Sequence, residues 1–130
     1  MKITGIDHIT INVKDLEASK TFYETVFGLS FCGFIDMGDH TLTYYELPAG
    51  IRLELIDFME KGPEKDLKET DIGIYRHFCL EVDSLDELYE TCKKHQVTVT
   101  KTPSYVEKLG VSNMLLLDPA GVEVEIFEKV

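Results

Sequence analysis

The chain has 130 residues, 44% of them hydrophobic, so it can bury one core but is too short for two ordinary independent domains. Its formal net charge of −11 disfavours nucleic acid and anionic lipid as partners, because either polyanion would be repelled. No apolar run approaches the roughly 18 to 20 residues that cross a bilayer, and residues 1–5 carry no signal-peptide core. We therefore expect a single cytoplasmic domain over residues 1–130 that acts on a small molecule.

The first half of the chain predicts a strand, a helix and three more strands. Residues 8–13 alternate between polar and apolar side chains, as in a half-buried strand. Asp15 can cap a helix over residues 16–27, and Gly28 can end it. Further strand-like runs follow near 31–36, 42–47 and 51–57.

The second half predicts the same order of elements. It follows a polar segment at 59–72, which contains Gly-Pro and is typical of an exposed linker. Residues 77–82 alternate like the first strand, and Ser84-Leu85-Asp86-Glu87 is a capping box that predicts the start of a second helix. Strand-like runs follow near 97–101, 113–117 and 122–128.

Two pairs of segments match between the halves. Residues 48–56 match 119–127 with four identities, and residues 8–13 match 77–82 in the same order and at nearly the same spacing. The first match alone is compatible with chance, but the second at the same spacing makes coincidence hard to accept. The sequence therefore predicts an α+β fold of two tandem βαβββ modules, residues 1–58 and 73–130.

The repeat places two histidines and two glutamates at equivalent positions. His8 and His77 open the matching strands, and Glu54 and Glu125 lie in the matching last strands. Because side chains alternate along a strand, we expect all four on the sheet face turned away from the helices, where a curved mixed sheet would form a cup. Two imidazoles and two carboxylates suffice for one divalent ion such as Ni²⁺, Zn²⁺, Co²⁺ or Fe²⁺. Taken singly, each residue is more often an ordinary polar side chain, so the prediction depends on the pairing.

The remaining histidines and the cysteines have no such equivalents. We expect His40 and His95 at the surface. Cys32, Cys79 and Cys92 are odd in number and widely spaced, which excludes a disulfide framework and a Cys-x-x-Cys motif. Free, mostly buried thiols are expected.

These motifs together resemble the vicinal-oxygen-chelate superfamily, and most of all its glyoxalase I branch. The resemblance covers essentially the whole chain and is carried by Asp7-His8-Ile9, Phe22-Tyr23 with Gly28-Leu29, Leu53-Glu54-Leu55, Arg76-His77, and Asp118-Pro119-Ala120-Gly121 leading to Glu125. It implies the glyoxalase/bleomycin-resistance/dihydroxybiphenyl dioxygenase fold, assembled as a homodimer. It also implies one Ni, Co or Zn ion bound by His8, Glu54, His77 and Glu125.

The activity that the resemblance implies is that of a lactoylglutathione lyase-like enzyme. The metal would chelate two neighbouring oxygens of a hemithioacetal, and either Glu54 or Glu125 would move a proton between two carbons through an enediolate. Relatives that cleave catechols or inactivate fosfomycin are similar in fold but use a His, His, Glu set. Methylmalonyl-CoA epimerases typically carry Gln at the position of Glu54, so the glutamate favours glyoxalase-type isomerisation.

The resemblance breaks at positions that bind substrate. Where glutathione-dependent bacterial members carry Arg and Asn, this chain has Asn12 and Phe58. A glutathione carboxylate would therefore lack its usual partner, a role that Lys108, Arg52 or Arg76 could take. The identity of the natural thiol is left open. The candidate substrate-binding residues are Asn12, Arg52, Phe58, Lys108 and Phe127.

Two alternative functions share the fold. One is a metal-free small-molecule-binding or resistance protein, for which the aromatic residues Tyr44, Phe58, Tyr105 and Phe127 would line the cup. The other is a methylmalonyl-CoA epimerase-like isomerase, which keeps the metal and also needs an enolate to be stabilised.

Overall fold

The computed structural model describes residues 1–129, in which strands and helices follow the order βαβββ twice. The first set is β1 His8–Asn12, α1 Leu16–Thr25, β2 Phe31–Asp36, β3 His40–Glu46 and β4 Arg52–Phe58. The second set is β5 Phe78–Glu81, α2 Leu85–Lys94, β6 Val99–Val106, β7 Val111–Leu117 and β8 Glu123–Lys129. The predicted α+β fold of two tandem βαβββ modules is confirmed. Residue 130, which the prediction included in the second module, lies outside the described residues.

The chain divides into two compact units, Met1–Lys61 and Gly62–Val130. The boundary falls inside the predicted linker 59–72. The irregular segment is longer than that linker, because no strand or helix is formed in the described chain between Phe58 and Phe78. That the whole chain acts as one domain stays a prediction.

The first unit is a four-stranded sheet in the order β1-β4-β3-β2, with one helix. β1 runs parallel to β4, and the other neighbours are antiparallel. As predicted, Asp15 caps α1, accepting a hydrogen bond from the Ala18 amide at 3.1 Å. The helix ends at Thr25, two residues before the predicted end, and Gly28 then turns the chain with φ of 64°.

The second unit repeats this topology in the order β5-β8-β7-β6, with β5 parallel to β8. Ser84 caps α2 as predicted, accepting from the Glu87 amide at 3.2 Å. A carboxylate from β8 also binds this helix end, because the Leu85 amide donates to Oε2 of Glu128 at 2.6 Å. The helix thus begins on two acceptors, one from its own turn and one from the sheet.

Alternating burial in the last strand of each unit gives each sheet its two faces. Leu53 and Leu55 in β4 are almost completely buried, as are Val124 and Ile126 in β8. Glu54 and Glu125 lie between these apolar pairs and therefore point to the opposite face of their sheets. Apolar burial holds the backbone of each strand while the carboxylate remains on the polar side.

Three expectations about single residues and strand ends need correction. Cys32 and Cys79 are exposed, so the prediction of mostly buried thiols is wrong for both, although Cys92 is completely buried. His40 is half-buried rather than a surface residue, because its ring packs against Phe58 with centroids 4.9 Å apart. The strand β6 extends beyond the predicted 97–101, to Val106.

No helix within residues 1–129 combines the length and the apolar character needed to cross a membrane.

Candidate metal-binding site

In the first unit, His8 and Glu54 lie on the neighbouring parallel strands β1 and β4. The two side chains approach with His8 Nε2 at 3.7 Å from Glu54 Oε1. On the other side of the imidazole, Nδ1 of His8 lies 2.7 Å from Oδ2 of Asp7. Because an ionised carboxylate only accepts hydrogen bonds, Nδ1 carries a proton in this contact, which leaves Nε2 as the ring nitrogen that could bind a metal ion.

Asp7 is held in its charged form by two neighbours. Nη2 of Arg52 lies 2.7 Å from the same Oδ2 that accepts from His8. The hydrogen bond from His8 and then that from Arg52 hold the pKa of Asp7 below its usual value. Asp7 therefore stays an acceptor at neutral pH and orients the imidazole of His8.

Glu54 is a carboxylate that is only 6% exposed. Its Oε1 accepts from the Thr10 hydroxyl at 3.1 Å, and its Oε2 accepts from the Tyr44 hydroxyl. This hydrogen bond to Glu54 is the largest cause that raises the pKa of Tyr44, so the phenol keeps its proton and remains a donor. The guanidinium of Arg52 packs over the Tyr44 ring, 4.3 Å from Cζ to the ring centroid. The register of the strands brings both hydroxyl donors to Glu54, since Thr10 on β1 and Tyr44 on β3 are its direct cross-strand neighbours.

In the second unit, His77 and Glu125 form the corresponding pair. His77 lies just before β5, and its Nε2 is 2.7 Å from Oε2 of Glu125. Nδ1 of His77 lies 3.3 Å from Oε1 of Glu123, which is also 3.2 Å from Nη1 of Arg76. Each imidazole thus has one carboxylate near Nε2 and another near Nδ1, but the contact between Nδ1 of His77 and Oε1 of Glu123 is not a hydrogen bond. The carboxylate near Nδ1 belongs to Asp7, directly before the histidine, in the first unit, and to Glu123 of β8 in the second unit.

Glu125 is held by an amide rather than by hydroxyl groups. Its Oε1 accepts from Nδ2 of the buried Asn113 at 3.0 Å. Nζ of Lys101 donates to Oδ1 of Asn113 at 2.5 Å, to the Asn113 carbonyl at 3.3 Å and to Oγ of Ser104 at 2.7 Å. The sequence analysis missed Asn113 and Lys101. The available signal was a single amide directly before the apolar run Met114-Leu115-Leu116-Leu117.

Cys79 lies opposite Glu125, where the first unit has Thr10 opposite Glu54. Although the residue as a whole is exposed, partial burial around its thiol, and then the negative charge of Glu125, raise the pKa of Cys79 to about 11. The thiol therefore stays protonated at neutral pH. It replaces a strong hydroxyl donor with a weak one.

The predicted substrate-binding residues lie at several places. Arg52 is engaged by Asp7 and Tyr44, and Phe58 packs against His40. Asn12 is exposed at the end of β1, Lys108 is exposed in the turn after β6, and Phe127 is half-buried on β8. Among the aromatic residues, Tyr44 is buried and Tyr105 is 59% exposed. Substrate binding by these residues stays a prediction.

Each pair has the chemistry and the spacing of two ligands of a divalent metal ion. Two ligand atoms that each lie about 2.1 Å from one ion are about 3 Å apart, close to the separations of 2.7 and 3.7 Å within the pairs. A carboxylate behind each imidazole is the usual support of a metal-binding histidine. Across residues 1–129, no group of three or more His, Cys, Asp or Glu side chains is gathered at metal-binding spacing. Each unit therefore supplies an imidazole and a carboxylate as a separate pair.

Tandem βαβββ units that each pair a histidine with a glutamate define a class of two-module α+β proteins. A sequence model of the Glyoxalase/Bleomycin resistance protein/Dioxygenase superfamily matches residues 5–126. The chain belongs to this superfamily, which confirms the resemblance drawn from its sequence.

Similar proteins within the superfamily differ in what they do. The chain is 29% identical to a mitochondrial methylmalonyl-CoA epimerase of Dictyostelium discoideum, over 98% of this chain and 80% of that protein. It is also 29% identical to the metallothiol transferase FosB of Lysinibacillus sphaericus, over 96% and 82% of the two chains. The trypanothione-dependent glyoxalase I of Leishmania major is similar in structure, with a TM-score of 0.76 at 23% identity over 98% and 88%. The superfamily is established by the sequence model over residues 5–126, and the structural similarity bears on the fold alone.

Proposed function

We propose that this protein is a metal-dependent isomerase or lyase of the glyoxalase I type, acting on a hemithioacetal or a related α-hydroxycarbonyl compound. Its ligands would be His8, Glu54, His77 and Glu125, with Ni²⁺, Co²⁺ or Zn²⁺ as the ion. The observation that carries the proposal is that each unit pairs an imidazole Nε2 with a carboxylate and places a second carboxylate within 3.3 Å of Nδ1, hydrogen-bonded to it in the first unit. The presence of Glu54, rather than a neutral side chain, supports the four-ligand set.

The reaction needs a base that takes a proton from one carbon and returns it to the next. When bound, a divalent cation acidifies the C–H bond beside a carbonyl and stabilises the negative charge that develops on oxygen. The carboxylates of Glu54 and Glu125 are the candidate proton carriers of this chain. Asp7 would keep the imidazole of His8 oriented throughout.

The neighbours of the two glutamates favour Glu54 as the proton carrier. Thr10 and Tyr44 bind it through hydroxyl groups, which donate to a carboxylate and can rotate to accept from a carboxylic acid. Asn113 binds Glu125 through an amide N–H, which only donates. Glu54 can therefore take a proton on either oxygen, whereas Glu125 can take one only on Oε2 if its Oε1 is to keep accepting from Asn113.

Metal binding is the first test. We expect the purified protein to bind about one Co²⁺, Ni²⁺ or Zn²⁺ per chain, measured by elemental analysis after loading and desalting. His8→Ala and His77→Ala should each lose most of that metal. His95→Ala is the matched control, since His95 is exposed at the end of α2, and it should retain the metal. A wild-type protein that binds none of the three ions would remove the proposed function and favour a metal-free small-molecule-binding protein.

Substrate is the second test. The loaded protein should convert methylglyoxal in the presence of a suitable thiol, so glutathione and other low-molecular-weight thiols are compared directly. The similarity to a methylmalonyl-CoA epimerase over 98% of the chain favours a second candidate, epimerisation beside a thioester carbonyl. Deuterium exchange into methylmalonyl-CoA without thiol-dependent turnover of methylglyoxal would select the epimerase. A homodimer is also proposed, to be checked by light scattering.

A further inference from the structure

We propose that Lys101 is a positioning residue that sets the carboxylate of Glu125 through the amide of Asn113. The inference rests on the proposed function in one respect, that Glu125 is a ligand. The three side chains come from β6, β7 and β8 of the second unit, so the relay crosses three adjacent strands.

Lys101 decides which way round the Asn113 amide lies. An ammonium group has three donors and no acceptor. Here the donors go to Oδ1 of Asn113, its backbone carbonyl and Oγ of Ser104. Rotating the amide by half a turn would place its NH₂ group against the ammonium, donor against donor. Oδ1 of Asn113 must therefore face Lys101.

The same constraint turns Nδ2 of Asn113 toward Glu125. That nitrogen donates to Oε1 at 3.0 Å, while Oε2 lies 2.7 Å from Nε2 of His77. With one oxygen engaged by the amide, the carboxylate is held with the other oxygen directed at the imidazole. Because Asn113 is only 7% exposed, water cannot readily take the place of either contact.

A role in positioning and a role of charge alone predict opposite results. If Lys101 acted only through its positive charge, removing it would strengthen the binding of a cation by relieving repulsion. If it acts by fixing Asn113 and Glu125, removing it weakens cation binding although the site becomes more negative. The direction of the change therefore separates the two.

Co²⁺ affinity of the full chain is the primary measurement. We expect Lys101→Met to weaken Co²⁺ binding about ten-fold or more, the usual effect of losing a residue that supports a ligand, and to alter the visible absorption of bound Co²⁺. Lys101→Arg, whose side chain also only donates, should restore much of the affinity. Lys94→Met is the charge-matched control, because Lys94 is exposed on α2, and it should bind Co²⁺ like the wild type. Equal or tighter binding by Lys101→Met would overturn the inference.

A double-mutant cycle tests whether Lys101 works through Asn113. Asn113→Leu should weaken Co²⁺ binding, and adding Lys101→Met to it should cost little more, since the relay is already broken. Full additivity of the two losses would overturn the proposed route. Thermal unfolding of each variant confirms that the protein compared is folded. If Lys101→Met does not fold, Lys101→Gln replaces it. The glutamine amide both donates and accepts, so it does not require Oδ1 of Asn113 to face position 101.

A measurement without metal keeps this inference separate from the proposed function. The side-chain NH₂ signals of Asn113 in ¹⁵N NMR should exchange slowly with solvent in the wild type and in Lys101→Arg, and clearly faster in Lys101→Met. Unchanged protection in Lys101→Met would overturn the inference. If the wild type binds no Co²⁺ but Lys101→Met still shows the predicted loss of protection, the proposed function fails and the positioning by Lys101 stands.

Discussion

At the scale of single residues, the buried carboxylate of Glu54 is the group whose energetics depend most on its neighbours. Removing a charge from water is costly unless hydrogen bonds replace the lost hydration. The hydroxyls of Thr10 and Tyr44 do so, one on each oxygen. Both donors therefore help to offset the cost of holding the Glu54 carboxylate at 6% exposure.

Tyr44→Phe should destabilise the protein by about 2 kcal/mol, because a hydrogen bond to a buried charged group is lost while the ring is kept. Urea unfolding of the protein without metal measures this directly. Tyr89→Phe, on α2, is the control, since its half-buried ring packs against Lys93 and the substitution retains that contact. A loss of equal size in both variants would contradict the role given to the Tyr44 hydroxyl.

Sequence could identify the four candidate ligands but not the residues that hold them. His8, Glu54, His77 and Glu125 were found because the repeat aligns them. Tyr44 and Asn113 depend on the register of antiparallel neighbours, which a sequence pattern does not provide. The two do not even take equivalent positions, since Tyr44 lies directly opposite Glu54, whereas Asn113 lies opposite Phe127, two residues along from Glu125.

At the scale of elements, the sequence predicts a helix or strand boundary correctly where neighbouring residues determine that boundary. Asp15 and Ser84 predicted both helix starts, because a cap binds an amide within its own turn. The extent of β6 was not predictable in this way. The strand continues through Pro103, which a sequence pattern takes as a stop, because β6 is an edge strand and Pro is tolerated there.

Glu128→Gln should destabilise the second unit by about 1 kcal/mol, because the negative charge at the start of α2 is lost while an acceptor remains. Chemical unfolding followed by helical circular dichroism gives the difference. Glu107→Gln removes one exposed carboxylate outside the helices and strands and serves as the control. A Glu128→Gln variant as stable as this control would show that the charge does not act on the helix.

At the scale of the whole molecule, the duplicated pattern carried most of the prediction. Each segment alone was ambiguous between chance and signal, but the repeat fixed the order of the elements. What a repeat cannot supply is the length of the connection. The irregular segment continues to His77. It includes Ile72, Ile74 and Tyr75, which form no regular strand or helix despite their apolar side chains.

Trypsin should cut the native protein first in the exposed irregular segment between β4 and β5, after Lys65 or Lys68, because a protease needs a chain that can extend into its active site. Mass spectrometry of early time points should find two fragments, one from each side of that cut. A Lys65→Gln, Lys68→Gln double variant should delay that cut. Early cleavage within α2, at Lys93 or Lys94, would contradict this picture.

The parallel pairing of β1 with β4 and of β5 with β8 has a consequence for what a cation would do to the chain. In each unit the first strand meets the last, so a histidine and a glutamate from opposite ends of the unit share one seam. A cation bound by both side chains would cross-link the first and last strands and close a loop nearly as long as the unit itself. Losing the cation would weaken each unit at the contact between its first and last strands.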